Sequence, residues 1–116
     1  MRHQKKRRKL TKNKDQRKAL LRSLISAVIF KEKIVTTEAK AKKLRPFLEK
    51  VISRAREDNL VNRRFLLMDF SPKIVNKLLK EIGPRYKSRT GGYSRIIKIN
   101  PRKNDAAKMA IIELIK

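Results

Sequence analysis

The chain has 116 residues, with 34 Lys or Arg against 10 Asp or Glu, giving a formal net charge of +24 at pH 7. That length holds one domain, which buries roughly two-thirds of its unfolded surface. With no Cys and only His3, thiolate chemistry, disulfides and Cys- or His-rich metal sites are excluded; no stretch approaches the ~18 apolar residues of a membrane span.

So much positive charge repels itself and attracts polyanions, and its spread over the whole length favours a polyphosphate ligand. The carboxylates are scattered, with none set beside a His or a Gly-rich loop as a general acid or base. No catalytic residue, cofactor, metal or small-molecule substrate is expected. The basic start is not followed by the apolar stretch of a secretory signal, so an intracellular, cytoplasmic protein is expected.

Residues 1–18 carry Arg2, Lys5, Lys6, Arg7, Arg8, Lys9, Lys12, Lys14, Arg17 and Lys18 against Asp15 alone. Such a segment cannot bury enough to fold by itself, and residues 1–14 read as a basic arm that tracks phosphates, with residues 15–116 as one globular domain. Leu20, Leu21, Leu24, Ile25 and Val28 recur at helical spacing over about 15–30, with Asp15 or Asn13 as cap. Ile34, Val35 and Thr36 suggest a short strand. Thr37 and Glu38 then open a helix with Leu44, Phe47, Leu48, Val51, Ile52 and Ala55 on its apolar face, interrupted or kinked at Pro46.

Asp58 and Asn59 break that helix, and a short one carrying Arg63 and Arg64 covers Leu60–Phe70. Ser71-Pro72 starts another, with Ile74, Val75, Leu78, Leu79 and Ile82 on one face, and Gly83-Pro84 is expected to stop it. Tyr93–Ile99 and Met109–Ile115 alternate as strands around a polar loop. Two strands alone are marginal, so Ile34–Thr36 joins them as a third. The expected fold is two-layer α+β, about four helices on a small three-stranded sheet.

Between Gly83 and Arg95 four cations interleave with Tyr86, Tyr93 and three glycines. Glycine lets backbone approach a phosphate, Arg offers a fork to its oxygens, and Tyr can stack or donate its hydroxyl. Aromatics are only 5% of the chain, which argues against a base-stacking sheet and for recognition of backbone and shape.

Met1-Arg2-His3, Leu10 with Asn13 and Arg17, Thr36-Thr37 with Lys40-Ala41-Lys42-Lys43-Leu44-Arg45, Asn62-Arg63-Arg64, Gly83-Pro84-Arg85-Tyr86, Arg89, Gly91-Gly92-Tyr93-Ser94-Arg95-Ile96 and Met109–Leu114 occur in that order. Together they resemble the L-seventeen family of bacterial large-subunit ribosomal proteins. The resemblance implies an α+β domain with a small mixed sheet, a basic arm bound to ribosomal RNA, and a place on the solvent side of the large subunit near the peptide exit. It also implies neighbouring ribosomal proteins as partners, one copy per ribosome, and a role in subunit assembly and translation.

Carried over by position, it points to Arg2, His3, Lys40, Lys42, Arg63, Arg64, Arg85, Arg89, Gly91, Gly92, Tyr93 and Arg95 as RNA-facing or loop-shaping. Lys5, Lys6, Arg7, Arg8, Lys9, Lys12, Asn13 and Arg17 add the arm. Three departures from the family pattern stand out: Lys6-Arg7 replaces a Ser-Gly step, Lys14-Asp15-Gln16 replaces Ser-Ser-His and moves the expected cap to Asp15, and Lys108 replaces a Pro. Two other classes share the charge. A DNA-architectural protein would need a recognition helix or apolar wedge, and a membrane-surface helix would need Leu20–Phe30 left unburied.

Overall fold

In the structure, a computed structural model describing residues 13–116, the first four helices each begin where a short polar side chain takes up free backbone N–H groups. Helix α1 (Lys14–Lys31) is capped by Asn13, whose Oδ1 accepts from the N–H of Asp15 at 2.7 Å and of Gln16 at 3.4 Å. Of the two expected caps Asn13 takes the role, and Asp15, which the departure from the family pattern favoured, occupies the first turn, where its charge faces the positive end of the helix. Thr37 caps α2 (Glu38–Ala55), Asn59 caps α3 (Leu60–Leu67) and Ser71 caps α4 (Pro72–Lys77). Each accepts from the N–H three residues on.

Two expected interruptions do not occur. Helix α2 runs unbroken through Pro46, because buried Leu44 and Leu48 on either side hold the helix to the core while Pro46 itself is exposed. After α4 the chain passes through a wide π turn (Leu78–Ile82) into α5 (Gly83–Arg85), so Gly83-Pro84 continues the helical run rather than ending it. Gly83 has ordinary right-handed geometry, φ −57° and ψ −53°. It serves close packing: a Cβ there would lie 2.1 Å from the Ala55 carbonyl oxygen at the end of α2.

Strands β1 (Lys33–Thr37), β2 (Ser94–Ile99) and β3 (Met109–Leu114) form one sheet in the order β1-β3-β2. Both pairings are antiparallel, with Ile34 opposite Ile112 and Ile96 opposite Ile112. The sheet is therefore not mixed: β1 and β2 point the same way, but β3 lies between them and no parallel ladder forms.

Alternation sends Thr36, Ala110, Ile112 and Leu114 inward, where they meet Val28, Ile29, Leu44, Leu48, Ile52, Val75, Leu78 and Ile82 from the helices. Burying each Leu or Ile contributes about 1.5–3 kcal/mol before chain entropy is counted. Phe47, expected in this core, is 42% exposed. The buried line of α2 runs through Leu44, Leu48, Ile52 and Ala55, which leaves Phe47 on its flank. Ile25, Val28 and Ile29 of α1 are buried in the same core, so its apolar face is spent inside the domain and is not available for a membrane surface. Among the described residues no helix is long and apolar enough to cross a membrane.

Candidate nucleic-acid interface

Beyond Arg85 the chain leaves the helix and crosses to β2 over one end of α2. Three polar residues of α2 and its cap, Glu49, Ser53 and Arg56, stand at i, i+4 and i+7, and so form a stripe on one helical face. This stripe grips the crossing segment. The N–H groups of Gly92 and Ser94 donate to the Glu49 carboxylate at 3.0 and 3.1 Å, and the Ser94 hydroxyl donates to it at 2.8 Å. Arg56 donates to the Lys87 carbonyl at 2.8 Å and to the Tyr93 hydroxyl at 3.3 Å, while Ser53 donates to the same hydroxyl at 3.3 Å. The Tyr93 hydroxyl in turn donates to the Arg89 carbonyl at 3.3 Å.

Gly91 and Gly92 have φ of 143° and 63°, and nothing lies within 4 Å of where a Cβ would stand on either. Their requirement is conformational rather than spatial. Tyr93 is buried at 1% exposure with its ring 5.2 Å from that of Tyr86, itself buried, whose hydroxyl donates to the Ile115 carbonyl. Tyr93 therefore shapes the loop, and its ring face is not open to a base.

The sequence-predicted cations divide by partner. Arg85 is held internally by Glu32 in a fork, with N–O distances of 2.6 and 3.3 Å, and Lys77 joins at 3.4 Å. Glu32 takes the left-handed conformation at the end of α1, φ 65°. The Arg85 hydrogen bond, with Lys77 adding to it, holds the Glu32 carboxyl below its ordinary value, and the Arg85 guanidinium is raised in return. Lys42 pairs with Glu38 at 3.0 Å, Arg63 with Asp58 at 3.3 Å, and Arg95 with Glu113 at 2.8 Å. Lys42 foremost, with Lys98, lowers the Glu38 carboxyl too.

The Lys42 and Arg95 side chains remain more than half exposed despite their partners. The structure places Arg64 and Arg89 on the surface and Lys40 half-buried on α2. Asn13 caps α1 and Arg17 lies in its first turns. Arg2, His3, Lys5, Lys6, Arg7, Arg8, Lys9 and Lys12 lie outside the described residues.

The segment from Lys87 to Arg95 thus brings Arg89, Gly91, Gly92, Tyr93 and Arg95 together, whereas Arg63, Arg64, Lys40 and Lys42 stand on other helical faces. Sequence reasoning passed over Glu32, Glu49, Ser53 and Arg56. A polar stripe at i, i+4 and i+7 was present in α2, but polar residues on a helix are ordinary until the loop they hold is in view. Among the described residues no group of three His, Asp or Glu could hold a metal ion.

Fold and surface define a class: a small, strongly cationic α+β domain whose internal polar contacts shape a basic loop and whose remaining charge faces outward. Comparison with known proteins gives the family. The profile of ribosomal protein L17 matches residues 20–115. The chain is 46% identical over 108 residues to the large ribosomal subunit protein bL17 of Carboxydothermus hydrogenoformans, covering 92% of this chain and 96% of the relative. It is 48% identical to that of Natranaerobius thermophilus, covering 93% and 96%, and 48% identical to that of Gemmatimonas aurantiaca, covering 99% and 98%. The chain belongs to the ribosomal protein L17 family, a family of ribosomal structural components rather than enzymes.

Proposed function

We propose that this chain is a structural constituent of the large ribosomal subunit that binds and stabilises ribosomal RNA through its phosphate backbone and shape, supporting subunit assembly and translation in the cytoplasm. The observation that carries the reading is the excess of cations over acids, 34 against 10. Seven of those acids, Glu32, Glu38, Glu49, Asp58, Asp69, Asp105 and Glu113, are already engaged in ion pairs within the domain. Charge left over on this scale calls for a polyanion. Residues 1–14 supply an RNA-binding arm to the domain formed by residues 15–116, its last two residues, Asn13 and Lys14, opening α1.

Backbone recognition is favoured over base stacking because rings are scarce at the surface. Both tyrosines are buried, and the three exposed Phe rings each already have a cation over them: Arg54 at 3.8 Å from the centre of Phe65, Lys73 at 4.9 Å from that of Phe30 and Lys50 at 6.0 Å from that of Phe47. The outward sheet face presents Val35, Ile97 and Ile99, which are aliphatic. Neighbouring ribosomal proteins complete the surroundings, with one copy in each subunit. Sedimentation of cell extract through a sucrose gradient tests the assignment: the chain is expected with large subunits, and recovery only in the free or DNA-bound fraction would refute it.

A further inference from the structure

The Glu49 carboxylate occupies the donor side of the glycine turn. Two backbone N–H groups and one hydroxyl converge on its oxygens at 2.8–3.1 Å, and successive donors in a turn of this kind make an anion-binding concavity. Here that concavity is filled from within the chain. A carboxylate at this place weakens the attraction of a polyanion, so anything it adds to binding has to be geometric.

We propose that Glu49 is the positioning residue of the basic loop: by filling the anion nest of the Gly91-Gly92 turn it fixes where Arg89 presents its guanidinium group to RNA, beside Arg95, which Glu113 holds. This rests on the RNA-binding reading above. It also changes the part played by the glycines, which form the turn that Glu49 holds, while the phosphates meet the arginines. Arg56, anchoring the Lys87 carbonyl at the other end of the loop, completes the clamp. The competing arrangement, in which an RNA phosphate displaces Glu49 from the nest, reverses the sign of the effect on binding.

The test titrates the full chain against a large-subunit ribosomal RNA transcript at several salt concentrations. Wild type is compared with Glu49→Ala, Glu49→Gln, Arg89→Ala and the Glu49→Ala/Arg89→Ala double variant, and amide exchange at Gly92 and Ser94 is followed in the free proteins. Glu49→Ala is expected to weaken binding roughly tenfold although it raises the net positive charge. Its log–log salt slope should be shallower by about 1, since the contact from Arg89 is lost. The double variant should lose less than the two single losses combined, and both amides should exchange faster.

Glu49→Gln keeps side-chain volume and one acceptor oxygen, and carries the same comparison should the alanine variant fold poorly. Tighter binding by either Glu49 variant, or unchanged binding with the amides freed, overturns the proposal. Unchanged amide protection overturns the clamp itself. A wild-type chain that fails to bind the transcript refutes the RNA reading, and the positioning role with it, whatever the amides do.

Discussion

Gly83 and the Gly91-Gly92 pair stand a few residues apart in one basic segment, yet glycine is needed for opposite reasons at its two ends. At Gly83 the backbone is ordinary and the space is missing, with the Ala55 carbonyl 2.1 Å from a would-be Cβ. At Gly91 and Gly92 the space is open and the backbone is unusual. The first end belongs to the core, where α5 seats against α2; the second belongs to the loop that carries Arg89. A segment that reads as a single phosphate-binding motif is therefore half packing joint and half exposed cationic loop.

Gly83→Ala should break the first half with the largest effect, about 3 kcal/mol of stability lost to overpacking, read by urea unfolding. Once folded, it should bind RNA nearly as wild type does. A tolerated alanine would mean that the approach of α5 to α2 is loose. Gly92→Val and Gly91→Val should cost less stability, about 1–2 kcal/mol each for left-handed backbone. They should weaken subunit incorporation more than Arg89→Ala does, because they misplace Arg89 and Arg95 together.

Arg89→Ala itself should leave stability within about 0.5 kcal/mol and weaken RNA binding roughly tenfold. Valine variants that incorporate and melt like wild type would make the glycines ordinary surface residues. Glu32 sharpens the contrast from outside the segment, since it is a non-glycine residue held at positive φ and its carboxylate ties α1 to Arg85. Its folded pKa is depressed, so the stabilisation is present above the unfolded carboxylate value and is lost as pH falls through the folded one. Glu32→Gln should cost roughly 0.5–1 kcal/mol at neutral pH. Its difference from wild type should fade below pH ~4, as thermal melts across pH would show.

Much of the fold was legible because helical periodicity and capping act locally: α1 and α2 begin and end within a residue or two of where Leu20–Val28 and Thr37–Ala55 place them. Gly83 misled because the demand on it comes from the Ala55 carbonyl, in another element. The sheet order was hidden for the same reason, since alternation in Ile34–Thr36 shows which side is buried but not which strand lies beside it. Charge marked the candidate phosphate contacts. It could not tell that Arg85 is taken by Glu32, 53 positions away, nor that Glu49 reaches the glycine turn 43 positions on.

Binding of ribosomal RNA through phosphates is tested most directly by the salt dependence of the full chain's affinity for a large-subunit RNA transcript. Engagement of ~6–10 phosphates by the arm and the exposed cations predicts a log–log slope of roughly −5 to −9. A slope near −2 would contradict it, because most of the +24 charge would then face solvent or protein rather than RNA.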